Sequence, residues 1–500
     1  MLMNFLNTYS LKTILKPEMY LVVIFSAFCI LMNFGLFSSF RWLIVLHLLL
    51  MFLLYARLKN ILLSSVIVLL FSLMFFQPNK YYAVEVIPAY ELLSLLFQEG
   101  YFIAYGLNIT NIFTGISILL LIRELFTAHN KGLLMLKHTK LLLISALVFF
   151  VCGFFASASF SPFPQLSFTW LLQYLQLFVI AILIFAVIKD NANNRKIIYM
   201  VIVMMVLFES VLGFRQYITQ SLVGLPIESQ GSGGFAYNSE ENNAIIRIPG
   251  TFLYHNQFAF VMLLLTAIVF PVALKTNTRI YLLALFCAVV IIIMIQSRAI
   301  WFALLISALV YIRLYPKIVT SFLSSLPLRK LVFYALILFP IVSVSLIPRL
   351  LLSFNIGNSG GAISVRREFF QEATEAFIQN PLGYGVGTNE FVLHSLFPAG
   401  VTSVFPSAVH MGFLQLLLEV GAIGLFFLSL PFLWILRKVI VLSIMSKKML
   451  SIPAMTFLTG VIVIVMYYLF HPHVGLIELP FLGIILGFGL TSIYEFEKSS

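Results

Sequence analysis

The 500-residue chain is 61% hydrophobic and only 10% charged, against roughly 45–50% and 25% in soluble proteins. With a mean hydropathy of +1.06 it is no soluble globular protein, and its apolar runs, continuous rather than alternating, select helices over a β-barrel as the membrane-spanning element. Lys and Arg number 30 against 18 acids, a net +12, while Asp190 is the only aspartate, which excludes an Asp pair or an Asp-x-Asp metal clamp.

Read in chain order, apolar runs fall near residues 19–37, 41–56, 60–76, 110–126, 141–160, 168–188, 196–218, 256–274, 280–297, 299–315, 331–352, 408–436, 451–471 and 478–494. They predict an all-α polytopic membrane protein with about 12–14 transmembrane helices. The expected organisation is N-terminal transmembrane helices over 1–218, an outer loop over 219–255 and central transmembrane helices over 256–352. A large periplasmic loop with an amphipathic helix follows over 353–407, then C-terminal transmembrane helices over 408–500. The first run starts late and lacks a small-residue cleavage site, so no cleavable leader is expected. Cys29, Cys152 and Cys287 sit inside apolar runs without metal-like spacing, which indicates neither a disulfide framework nor a zinc site.

With the N-terminus inside and the spans alternating, 22 of the 30 bases fall on inner segments, and both termini are cytoplasmic. This bias follows the positive-inside rule and accounts for most of the net charge without a nucleic-acid partner. The outer bases are Arg41, Lys80, Arg215, Arg247, Arg298, Arg349, Arg366 and Arg367. Nearly all are arginine, whose planar fork suits phosphate oxygens, so the outer face is expected to receive an anion.

Four segments could carry chemistry. The first, 219–255, contains a GSGG stretch that lacks the Lys-Ser/Thr of a phosphate loop and reads as a hinge. It ends on Arg247, Gly250, Thr251 and His255, with Asn256 opening the next span; Arg247 would meet either an anionic ligand or lipid headgroups. The second is Gln296-Ser297-Arg298, which holds the only charged residue between Ile280 and Ile312. That stretch exceeds one span, so the chain must turn near Arg298, which should face a cavity, an anion or helix-end carbonyls. The third is a helix capped by Ser364, with Phe369, Phe370, Ala373, Ala376 and Phe377 on one side and Arg366 and Arg367 elsewhere. Pro381 ends it, and Gly383, Gly385 and Gly387 give a flexible exit; the whole would form an interfacial lid. The fourth is His410, at an outer helix end where an imidazole can take a hydroxyl proton near neutral pH. His471 and His473, two residues apart, are poor metal partners on a helix.

In order and spacing these pieces resemble the O-antigen polymerase and O-antigen ligase family of bacterial membrane glycosyltransferases. The residues carrying the resemblance are Arg247-x-x-Gly250-Thr251-Phe252 with Asn256, Ser297-Arg298-Ala299, and Arg366 with Asn380-Pro381-Leu382-Gly383-x-Gly385-x-Gly387. His410-x-x-x-Leu414-Gln415-x-x-x-Glu419-x-Gly421-x-x-Gly424 completes the set, which covers about residues 240–430. Two positions depart from the family pattern: Met411 stands where Asn usually follows the histidine, and His255 where proline often precedes the asparagine.

The resemblance implies a GT-C-like fold in the bacterial inner membrane, with an active site open to the periplasm beneath a helical loop. It implies an undecaprenyl-pyrophosphate-linked glycan donor, an inverting transfer, and no metal or other cofactor. Arg247, Arg298 and His410 become the expected catalytic residues, and Arg247, Arg298, Arg366, Arg367, Asn256 and Gln415 the substrate-binding set. The acceptor is a second lipid-linked oligosaccharide in a repeat-unit polymerase, or the lipid A core or a protein in a ligase. Chain length, span number and the extended loop favour the polymerase. Membrane lipids and a chain-length regulator are further candidate partners. A lipid-linked-sugar transporter or flippase is the alternative from another class; no pairing of broken helices between chain halves favours it.

Overall fold

The computed structural model describes residues 17–33, 40–73, 109–127, 129–221, 248–252, 255–295, 297–314, 316, 320, 356–404, 409, 411–446, 450–471 and 478–499. Within them the chain is helical and forms no strand. The helices are α1 (Pro17–Asn33), α2 (Phe40–Leu58), α3 (Ile61–Ser72), α4 (Ile109–Thr127), α5 (His129–Phe160), α6 (Pro164–Ile188), α7 (Ala192–Thr219) and α8 (His255–Thr276). They continue as α9 (Arg279–Met294), α10 (Arg298–Leu314), α11 (Ile356–Gln379), α12 (Asn389–Leu396), α13 (Val401–Val404), α14 (Gly412–Ser446), α15 (Ile452–Phe470) and α16 (Leu479–Ser499).

Eight described stretches are long and apolar enough to cross a membrane, on α4 to α8 and α14 to α16. Four shorter apolar stretches, on α2, α3, α9 and α10, fall on expected spans. The expected span 331–352 lies outside the described residues. Local signals set several starts: Asn60 accepts from the Leu63 amide at 2.9 Å, Asn191 from Asn193 and Asn194, and Ser451 from Ala454. Such side-chain oxygens satisfy amides that a helix start leaves unpaired.

Helix α8 sits at the centre, with nearly every side chain buried, and packs on α7, α9 and α15. Helices α6 and α16 form the most extensive pair. Gly483 and Gly487 let them approach, since a Cβ at either would come within 2.7 Å of α6 atoms; small residues four apart are a common device for close membrane helices. By contrast α5 shows Leu147 and Val151 outward, as a helix facing lipid tails can.

One end of the bundle is ionic. Lys137 pairs with Glu497, Lys498 with Asp190 and Arg195 with Glu495, and Lys275 donates to the Leu450 carbonyl at 2.7 Å. These bases are ones the sequence assigns to the inner side. The opposite end gathers the starts of α6, α8, α10 and α14, the ends of α5, α7, α9 and α15, and the segment from α11 to α13.

In α11 two details differ from the sequence reading. Helix α11 begins at Ile356, so Ser364 lies inside it rather than at its cap. Its buried side is Phe369, Ala373 and Ala376, while Phe370 is 50% exposed, because the small cluster it joins, with Leu393, Leu414 and Leu418, covers only a narrow stripe.

Candidate functional site

The site is built on short polar segments that helix ends hold in place. Glu209, Gly213 and Gln216 recur at i, i+4 and i+7 on α7 and so share a face. Against them lies the turn Pro249–Phe252, closed by the Phe252 amide donating to the Pro249 carbonyl at 3.0 Å. Gln216 binds Gly250 twice, donating to its carbonyl and accepting from its amide, both at 2.9 Å. The fully buried Glu209 accepts from the Thr251 amide at 3.2 Å and from the Thr251 hydroxyl. Gly250 has φ 61°, and a Cβ there would lie 2.6 Å from the Phe258 ring, so the glycine is required twice over. Arg247 lies outside the described residues, one position before the buried Ile248.

Helix α8 starts three residues after Phe252, with His255, Asn256 and Gln257. The Ser297 hydroxyl donates to Asn256 Oδ1 at 3.3 Å, which joins this start to the break between α9 and α10. The break stands where the sequence requires a turn: α9 ends at Met294 and α10 begins at Arg298. Trp301 fastens it by donating its indole N–H to the Ile292 carbonyl at 3.0 Å. The backbone of Arg298 is thereby placed; its side chain lies outside the described residues. Gln257 is 1% exposed, and neither atom of its amide has a hydrogen-bond partner among the described residues.

The Asn380–Asn389 segment enters a break in α14 that the sequence reading took as one continuous span. Gly421 adopts φ 70°, ψ 176° inside that helix, so the carbonyls of Leu418 and Glu419 are open to other donors. The Tyr384 and Gly385 amides take them, each at 2.9 Å, and the Ala422 amide donates to the Pro381 carbonyl at 3.1 Å. The buried Glu419 carboxylate then accepts from Asn389 Nδ2 at 2.6 Å and from Gln415 Nε2 at 3.1 Å. Beside it, burial and the Glu419 charge push the Glu390 carboxyl up to about 8.

His410 lies outside the described residues, yet its neighbours are pinned. The Val409 amide donates to Asn389 Oδ1 at 3.3 Å, the Met411 amide to the Val409 carbonyl at 2.8 Å, and the Gly412 amide to the His471 carbonyl at 2.8 Å. His471 stacks on Tyr467, and Tyr467 and Tyr468 donate to the two oxygens of the buried Glu478 at 3.1 and 3.0 Å.

Among the expected site residues, the structure brings Asn256 to the start of the Arg298 helix and Gln415 to the Glu419 node. Arg366 and Arg367 are exposed on α11. Sequence reasoning missed Glu209, Gln216, Gln257, Asn389 and Glu478. The one available signal was an acid or amide inside an otherwise apolar run, which is costly unless it has a partner or a task. Among the described residues no three His, Cys, Asp or Glu side chains gather as a metal site.

Among the described residues, an all-helical bundle with eight membrane-length helices, and polar segments clasped by broken helices at one end, defines a polytopic membrane protein. Residues 283–429 match the family model described as O-antigen ligase, so this segment of the chain is similar to that family. The match supports a glycan-transfer function in O-antigen processing. The match runs from α9 into α14 and leaves Arg247 and Asn256 outside it. No curated protein matches the chain.

Proposed function

We propose that this chain is an inverting, metal-independent glycosyltransferase that moves an undecaprenyl-pyrophosphate-linked glycan to an acceptor sugar hydroxyl on the periplasmic side. The favoured reaction is repeat-unit polymerisation. The observation that carries the reading is the Ser297–Asn256 hydrogen bond, because it ties the segment that follows Arg247 to the helix that begins with Arg298. Two guanidinium groups there would hold the pyrophosphate and strengthen their grip as charge develops on it. Arg366 and Arg367 would assist from the lid.

His410 would act as base. The acceptor oxygen attacks the anomeric carbon from the face opposite the pyrophosphate, the carbon–oxygen bond to phosphate breaks, and the hydroxyl proton passes to the imidazole. Undecaprenyl pyrophosphate departs with the bonding pair. Asn256 would line the donor pocket. Gln415, tied to Glu419, would orient the His410 segment. The buried amide of Gln257 offers a donor and an acceptor together, which matches a sugar hydroxyl better than a phosphate that only accepts.

The description of the matched family favours a second reading, transfer to the lipid A core. Surface polysaccharide from a strain lacking the protein separates the two. Cores carrying a single repeat mean a lost polymerase; bare cores with lipid-linked polymer retained mean a lost ligase. An unchanged banding pattern would contradict both.

A further inference from the structure

The N-terminal half of the chain lies outside the matched segment, and its sequence reads as plain membrane spans. Helix α7 departs from that description. Its sequence Glu209-Ser-Val-Leu-Gly213-Phe-Arg-Gln216 puts an acid, a glycine and an amide along one face, and each meets a different part of the chain that follows Arg247. Gly213 abuts Ile248, since a Cβ there would lie 3.3 Å from the Ile248 side chain. Gln216 reads both polar atoms of the Gly250 peptide, and Glu209 reads both donors of Thr251. Four hydrogen bonds therefore fix Gly250 and Thr251, and the Gly213 contact places Ile248 directly after the arginine. A membrane helix holding a carboxylate and an amide solely to steady a loop is an expensive arrangement, whereas placing a phosphate-binding arginine to within a fraction of an ångström rewards it.

We propose that Glu209, Gly213 and Gln216 form a positioning track on α7 that sets where Arg247 meets the donor pyrophosphate. The N-terminal half thus builds part of the donor site. This inference rests on the glycosyltransferase reading above. Glu209 and Gln216 touch the turn and act through Arg247, so they are positioning residues.

The test is a double-mutant cycle on the purified full-length protein, with a synthetic polyprenyl-pyrophosphate-linked oligosaccharide as donor. Glu209→Ala should lower kcat/KM for the donor by about 10- to 100-fold, the scale of a misplaced binding group, with the acceptor KM unchanged. Glu209→Gln, which keeps an acceptor for Thr251, should recover most of the loss. In an Arg247→Lys background, Glu209→Ala should cost less than about threefold, because the group it positions is already altered. If Glu209→Ala does not fold, Thr251→Val removes the partner hydroxyl from the other side and should show the same non-additivity. Equal losses in both backgrounds, or no loss with Glu209→Ala, would overturn the track. Parent-like kcat/KM for Arg247→Lys would instead overturn the arginine assignment on which it rests.

Discussion

Gly383 and Gly421 meet backbone to backbone. A Cβ on Gly383 would lie 2.5 Å from the Gly421 amide nitrogen, and one on Gly421 would lie 2.4 Å from the Leu382 carbonyl carbon. Both have positive φ, at 91° and 70°. Either change to alanine therefore combines a clash against rigid backbone with a left-handed conformation that L side chains disfavour, at a cost of roughly 2–4 kcal/mol. Thermal unfolding in detergent should show a lower Tm for Gly383→Ala and Gly421→Ala, whereas Gly115→Ala, with nothing within 4 Å, should leave it unchanged.

The Glu390 carboxyl gives the loop a pH dependence of defined sign. Its value rises from 4.5 to about 8 in the folded chain. Below the lower value both folded and unfolded states hold the proton; between the two the unfolded chain releases it and the folded chain keeps it. Stability is therefore fully present at low pH and falls as pH rises through the window to about 8. Glu390→Gln has no proton to lose. The parent Tm should drop more than that of Glu390→Gln between about pH 5.5 and about pH 8.5, and parallel curves would contradict the assignment.

Gln257 separates a structural from a ligand-binding role. A buried amide with no hydrogen-bond partner among the described residues contributes little to stability, so an apolar replacement of similar size should be neutral or stabilising by about 1 kcal/mol. Gln257→Leu should keep or raise Tm while glycan transfer falls at least tenfold, the scale expected when a buried polar contact to substrate is lost. Unchanged transfer would remove Gln257 from the glycan pocket.

The class of fold was legible because apolar run length alone reports a membrane helix, and the break before Arg298 followed from a run too long for one span. The Gly421 break was not legible. Leu414 to Leu430 reads as part of one long span in spite of Gln415 and Glu419, and the interruption is set by the Tyr384 and Gly385 amides, which come from distant sequence. The Ser364 cap failed because a favourable cap residue competes with whatever precedes it, and here helical residues do. Periodicity puts Phe370 on one apolar side of α11 with Phe369, but the partner surface of Leu414 and Leu418 is narrower than that stripe and leaves Phe370 half exposed. Glu209 and Gln216 could have been flagged as polar residues in a span; their partners Gly250 and Thr251 lie beyond a long loop and leave no periodic signature on α7.

The account stands most directly on turnover by the isolated protein. Purified in detergent with metal chelated, and given a polyprenyl-pyrophosphate-linked oligosaccharide, the parent should lengthen or transfer the glycan and release polyprenyl pyrophosphate. Arg298→Ala should be slower by roughly 10²–10³, the cost of losing one preorganised charge stabiliser, and His410→Ala should fall by roughly 10²–10⁴ at neutral pH. Failure of the parent to transfer glycan, coupled with movement of the same donor across a proteoliposome bilayer, would contradict the account and make the protein a transporter.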